Sequence, residues 1–205
     1  MKNPGYTINK LVWSLLLFLT CILQACVTVG TQVEQWKTYN GQPIAFSASG
    51  RLSIKNQSRG LHTNFDWNSK NHQLHLITIS SPVGNVLGEL CKDRTGVLLR
   101  TADGKTFSGQ TAIELSESLL GYSVPVDDLD LWINGYLSNQ TPYQIKNNYL
   151  QQNGWLIERV VDTNQLPKKL ILTNSQFTIL LIFDYFQSNP QEEKVPTDCH
   201  NKTTT

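Results

Sequence analysis

From Phe46 onward, apolar side chains recur at every second position in segments of strand length. In SGRLSIK, Leu52 and Ile54 alternate with Arg51, Ser53 and Lys55; in LHTNFDW, Leu61, Phe65 and Trp67 share one parity against His62, Asn64 and Asp66. Successive strand residues point to opposite sides, so each segment has one apolar and one wet face. The pattern returns in QLHLITI, NVLGELCK, GVLLRTA and KTFSG, and later in YQIKNNYLQQNGWLIERVVD, KKLILTN and FTILLIFDYFQ. The connections are short and polar, such as Lys92-Asp93-Arg94, and Asp103-Gly104 and Asn153-Gly154 are dipeptides that favour tight hairpin turns. Parallel strands would need about a dozen residues or more per crossover. An antiparallel meander is therefore expected.

Helical signals interrupt it. Thr111 to Glu114 matches a capping box, Ala112, Leu115 and Leu119 fall on one face, and Gly121 stands where the helix should stop. After Pro125, Asp127 and Asp128 suit a helix N-terminus, Leu129, Trp132 and Ile133 form an apolar stripe, and Gly135 ends it. A sheet cannot bury its apolar face unaided, so this pair, about residues 111–136, is expected to lie over it. An earlier short helix is expected around Val33, Trp36 and Tyr39, whose spacing puts them on one face. The fold class is α+β, a sheet curved around helices.

The chain ends carry other information. Lys2 and Lys10 precede an uncharged apolar run of thirteen residues, Leu11 to Leu23. A bilayer span needs roughly 20 residues, so the run has the length of a signal-peptide core. Leu23-Gln24-Ala25-Cys26 resembles a bacterial lipobox, which makes residues 1–25 a signal peptide and Cys26 the lipidated N-terminus of a tether over 26–45. An ordinary secretory peptide with an incidental cysteine, or an uncleaved anchor, are the alternatives. Within the lipobox reading, Val27 occupies the place where lipoproteins kept in the inner membrane usually carry Asp, which implies the outer membrane. Residues 188–205 hold almost no large apolar side chains and are expected to be a disordered polar tail.

A net charge of +1 without a Lys/Arg cluster argues against nucleic acid as a partner. Cys91 and Cys199 can pair in an oxidising compartment, but nothing in their spacing decides whether they do. No cysteine or histidine cluster has zinc spacing, and His62, His72 and His75 are expected to be solvated on strand surfaces, with His72 and His75 on opposite faces. Asp127, Asp128 and Asp130 lack the loop pattern of a calcium site and are read as serving the helix N-terminus. Gly104-Lys105-Thr106 ends like a phosphate loop, but Leu99 stands where its first glycine must be. Nothing here supports an enzyme.

ASGRLSI, FDW, ITISSPVGNVLGEL, LLRTADGKTF and LLGYSVPVDDLDLWINGY, in that order behind a lipobox, resemble the LolB family of outer-membrane lipoprotein receptors over roughly residues 23–187. The resemblance implies an unclosed antiparallel β-barrel over residues 46–187, with helices as a lid on a hydrophobic cavity. It implies that the cavity takes the acyl chains of lipoproteins delivered by the periplasmic carrier LolA, and that the cargo is then placed in the outer membrane. It further implies a monomer anchored through Cys26 and facing the periplasm, with acylated cargo, LolA and outer-membrane lipid as partners and no cofactor.

Candidate cavity residues are Leu52, Ile54, Phe65, Trp67, Leu115, Leu119, Leu129 and Trp132, each readable equally as core. In Pro82-Val83-Gly84 the resemblance implies an apolar residue that protrudes and serves membrane insertion; the family often has Leu where Val83 stands. The residues themselves also allow a turn folded back with Val83 on the sheet. A second departure is Tyr136-Leu137, where the family has a proline shortly after the helix-ending glycine. A lipid-anchored protein that binds another apolar ligand, such as a free lipid, would share all these features.

Overall fold

A computed structural model describes residues 36–70, 73–190 and 198–199, so Cys26, Val33 and His72 lie outside the described residues. Eleven strands form one sheet in which every neighbouring pair is antiparallel. The first half contains β2 (Phe46–Lys55), β3 (Gly60–Lys70), β4 (Leu74–Ser80), β5 (Val86–Asp93), β6 (Gly96–Thr101) and β7 (Thr106–Gly109). After the helices come β9 (Tyr143–Lys146), β10 (Tyr149–Gln152), β11 (Trp155–Val161), β12 (Pro167–Thr173) and β13 (Thr178–Ser188).

The order β7-β6-β5-β4-β3-β2-β13-β12-β11-β10-β9 joins the halves through β2 and β13. The terminal strands β7 and β9 do not pair, so the sheet is not closed into a barrel. A bulge between Phe183 and Tyr185 bends β13, and Gly50 on β2 accommodates it: a Cβ there would stand 2.0 Å from the Ile182 carbonyl oxygen.

Strand parity divides the faces. Phe46, Ala48, Leu52, Ile54, Phe65, Trp67, Ile77 and Ile79 are buried, while Arg51, Lys55, Asp66 and Asn68 are exposed. Two hairpin tips have both central residues at positive φ: Asn153-Gly154 (50° and 78°) and Asn147-Asn148 (50° and 68°). The second has no glycine, and sequence reasoning ran through it as continuous strand.

Helices α1 (Ala112–Leu120) and α2 (Val126–Ile133) pack on the buried side. Gly121 stops α1 with a left-handed φ of 74°. Thr111 is the N-cap but makes no side-chain cap bond, so the expected capping box is not formed. What seats α1 is burial: Ala112 is fully covered, and a Cβ on Gly88 of β5 would lie 2.7 Å from Leu119 Cδ1. The helix rests there almost on bare sheet backbone.

Two expectations about the chain ends fail. Trp36 to Tyr39 is not helical: β1 (Lys37–Thr38) pairs in parallel with β8 (Tyr136–Leu137). The Trp36 indole donates to the Asn148 carbonyl at 2.8 Å, so long-range partners overrode a local helical period. The polar tail is not disordered throughout. Cys199 is disulfide-bonded to Cys91 across 108 residues, and its N–H donates to Asp93 Oδ2 at 2.9 Å. Leu74 and Cys91, on the outer side of the sheet, are buried with Cys199 in a small cluster of their own.

Candidate functional site

Beneath the helices the concave face leaves an apolar cavity of about 50 Å³. Its floor is built by register: Phe65 opposes Ile79, Trp67 opposes Ile77, and Ile77 opposes Leu90, so side chains from β3, β4 and β5 meet in rows. Leu52 and Leu181, paired across β2 and β13, extend it. Leu119 and Leu120 of α1, Val124 of the linker, and Val126 and Leu129 of α2 close the roof. Ser116 also borders the space, but its hydroxyl donates to the Ile113 carbonyl (2.8 Å) and accepts from the Val124 N–H (2.9 Å). No polar surface faces the cavity.

Among the sequence candidates, Leu52, Phe65, Trp67, Leu119 and Leu129 border this space; Ile54, Leu115 and Trp132 do not. Ile54 is fully buried near the end of β2, paired with Ile179 of β13. Leu115 sits over Gly109 of β7, its Cγ 3.4 Å from where a Cβ would be. Trp132 is fully buried, its indole donating to Gln152 Oε1 at 3.1 Å. Parity identified the face correctly and was silent about position along it. Ile77, Ile79, Leu90 and Leu181 obey the same alternation, but only strand register brings them to the cavity.

The turn after β4 is exposed and ordered by its backbone. Ser81 N–H donates to the Asn85 carbonyl and Gly84 N–H to the Ser81 carbonyl, each at 2.8 Å, while Asn85 N–H reaches Ser81 Oγ at 3.1 Å. Gly84 has φ +93°, which closes the turn. Asn64 Nδ2 on the neighbouring strand donates to the Ser81 carbonyl at 3.2 Å. Val83 projects from this frame at 84% exposure, so the folded-back alternative is excluded. Val86, at the start of β5, is half exposed.

Polar groups that sequence reasoning placed on the surface are buried under α2. His75 is inaccessible to water rather than solvated, because β4 runs beneath the lid and turns its 75-77-79 row inward. Trp67 Nε1 donates to His75 Nδ1 at 3.3 Å, and His75 Nε2 stands 3.7 Å from Asp130 Oδ2. Asp130 is equally buried and accepts the Leu131 N–H at 2.8 Å, so it does not serve as a solvated N-terminal charge. Asp127 instead pairs with Lys92 at 2.7 Å, and Asp128 accepts from Asn153 at 2.8 Å. Burial raises the Asp128 carboxyl above its ordinary range, with Asn153 opposing that shift.

Arg159 of β11 was not anticipated. Its Nε donates to the Ile133 carbonyl at 2.6 Å, placing a cation at the C-terminal end of α2, and burial lowers its guanidinium to about 10. Among the described residues no group of three His, Cys, Asp or Glu side chains is placed to hold a metal.

The family model described as outer membrane lipoprotein LolB matches residues 44–185. An outer-membrane lipoprotein LolB of Neisseria meningitidis is 32% identical over 179 residues, covering 87% of this chain and 92% of that protein. One from Chromobacterium violaceum is 28% identical, covering 84% and 97%. Among solved structures, an outer membrane lipoprotein-sorting protein domain from Vibrio parahaemolyticus overlays with a TM-score of 0.46 at 9% identity, covering 76% of this chain and 89% of that one.

Proposed function

The chain belongs to the LolB family of outer-membrane lipoproteins, and from that premise we propose that it receives acylated lipoproteins from a LolA-type periplasmic carrier and inserts them into the outer membrane. Cys26 is its own lipid anchor, and the domain faces the periplasm. The observation that carries this reading is the coexistence of an apolar cavity under a helical lid with a single aliphatic side chain held out in water.

A triacylated lipoprotein needs such a device. At about 0.8 kcal/mol per buried CH₂, three chains of about fifteen methylenes each represent on the order of 35 kcal/mol in water. Cargo must therefore pass from one apolar enclosure to another, with differences in affinity setting direction.

The cavity is closed in this structure. A cavity of about 150 Å³ holds one benzene, so the 50 Å³ here is far short of one acyl chain. Receipt requires the lid to rise and the walls to part. The walls are carbon, so separating them breaks no polar bond until cargo refills the space.

Val83 serves a different step. Burying a valine contributes roughly 1.5 kcal/mol or more, which is about tenfold in an equilibrium constant. That is enough to bias a loop toward acyl chains or membrane and far too little to anchor the domain. Val83→Glu should leave folding unchanged, since the side chain packs on little, and should leave receipt of cargo from the loaded carrier intact. Insertion of that cargo into liposomes should fall at least tenfold, whereas Val83→Leu should insert normally. Insertion by Val83→Glu at the wild-type rate would remove the loop from the mechanism, and failure of wild-type protein to take cargo from a competent carrier would remove the function.

A further inference from the structure

Beside the apolar cavity lies a second, open cleft of about 500 Å³ with a different chemistry. Leu120, the last residue of α1, borders both spaces. On the far side of Leu120 the cleft is walled by the β2–β3 turn, with Asn56, Ser58 and Arg59, and by Gly121 and Tyr122 of the lid linker. Polarity thus changes across one leucine, from carbon only to hydrogen-bond donors.

The donors are prearranged. Asn56 Oδ1 accepts from the backbone N–H groups of Ser58 (2.9 Å) and Arg59 (2.6 Å), and Asn56 N–H donates to the Arg59 carbonyl at 3.0 Å. This side-chain-closed turn fixes where Arg59 leaves the backbone. The exposed Arg59 guanidinium makes no ion pair or side-chain hydrogen bond among the described residues, and no carboxylate lines the cleft. The Tyr122 ring is held against Phe177 at 5.6 Å, which braces the opposite wall.

We propose that this cleft is the head-group half of the cargo site, and that acyl chains pass Leu120 into the cavity while the acceptor-rich ester and amide carbonyls of the acylated cysteine rest against Arg59 and Asn56. The inference rests on the reading that the cavity takes acyl chains. It adds the polar chemistry, the way in and the orientation of the ligand, tail first under α1. A guanidinium fork offers several N–H donors to such carbonyls, which an ammonium does not. A phospholipid phosphate presents acceptors of the same kind, so the test separates the two sources.

Three probes are titrated into protein with wild-type Arg59, Arg59→Ala and Arg59→Lys: diphenylhexatriene, which has no head group; a synthetic tripalmitoyl-cysteinyl peptide with a neutral peptide part; and phosphatidylglycerol. Diphenylhexatriene reads the cavity alone and should bind all three proteins equally. The lipopeptide should bind Arg59→Ala about fivefold to tenfold more weakly than wild type, the scale of a lost hydrogen bond to a charged group, with Arg59→Lys in between. A Leu120→Trp variant, folded by circular dichroism, should take up lipopeptide more slowly because the neck is narrowed. Equal lipopeptide affinity for wild type and Arg59→Ala overturns the proposal, as does a loss confined to phosphatidylglycerol, which would make the cleft a phosphate site. If wild type binds neither diphenylhexatriene nor lipopeptide, the underlying function fails instead.

Discussion

Helix α1 meets the sheet through carbon, Leu119 over Gly88 and Leu115 over Gly109, whereas α2 is tied to it by buried and half-buried polar bonds. Among the described residues, the side-chain hydrogen bonds of α1 stay within the lid: Ser116 with Ile113 and Val124, Ser118 with Glu114, and Glu117 with Ser123. In α2, Trp132 bonds Gln152, the Ile133 carbonyl takes Arg159, Asp128 takes Asn153, and Asp127 pairs with Lys92. A buried hydrogen bond that is broken leaves a desolvated group behind, at about 1–3 kcal/mol each. An apolar contact that parts can be replaced by an acyl chain. The cavity lies chiefly under the first kind of contact, and α1 is therefore the half of the lid suited to lift, with α2 as its hinge block.

The largest effect should come from the anchored half. Trp132→Ala removes a fully buried indole and leaves Gln152 short of a donor, which should destabilise the domain by about 3–5 kcal/mol in urea unfolding. A loss under 1 kcal/mol would show that α2 is not anchored as described.

Leu119→Ala tests the loose half and should do less. Its side chain is only partly buried, so the loss should fall below the roughly 2–5 kcal/mol of a core Leu→Ala, while the enlarged cavity should bind diphenylhexatriene more tightly. Destabilisation equal to that of Trp132→Ala, without a gain in dye binding, would erase the distinction between the helices.

The smallest effect concerns the outer face, where one carboxylate does for the chain end what several polar groups do for α2. Desolvation would raise the Asp93 carboxyl, but hydrogen bonds from the Thr95 side chain and from the Cys199, Thr95 and Gly96 N–H groups hold it below its ordinary range. Its folded state therefore binds a proton more weakly than the unfolded chain does. The stabilisation is present above the unfolded value of about 4 and is lost as pH falls through the lower folded value. Exchange of the Cys199 amide hydrogen, corrected for its intrinsic rate, should lose protection between pH 5 and pH 2, and Asp93→Asn should flatten that dependence. An identical profile in both proteins would leave Asp93 no part in holding the tail.

Much of this architecture was legible in local patterns. The alternation of Leu52, Ile54, Phe65 and Trp67 announced an inward face, and the Gly121 and Gly135 stops bounded two helices. His75 was misread because its strand neighbours Leu74 and Leu76 belong to the opposite face, and Leu74 is covered by the Cys199 segment. With both faces partly buried, the alternation that marks a wet side disappears. Asp130 was misread for a related reason: a carboxylate near a helix start ordinarily faces water, and only the sheet beneath it shows otherwise.

What the sequence determined by itself is whatever depends on a few consecutive residues: the strand parity, the hairpin at Asn153-Gly154, the helix stops, and an aliphatic residue at the tip of a Pro-Val-Gly turn. Dihedral preference and alternation act within that range. Tertiary structure alone decided that Val83 stands out in water, that Cys91 meets Cys199, and that Phe65, Ile79 and Leu119 border a void while Ile54 and Trp132 fill one. Those outcomes depend on the register between strands and on what covers each face, and both are set by contacts between residues far apart in the chain.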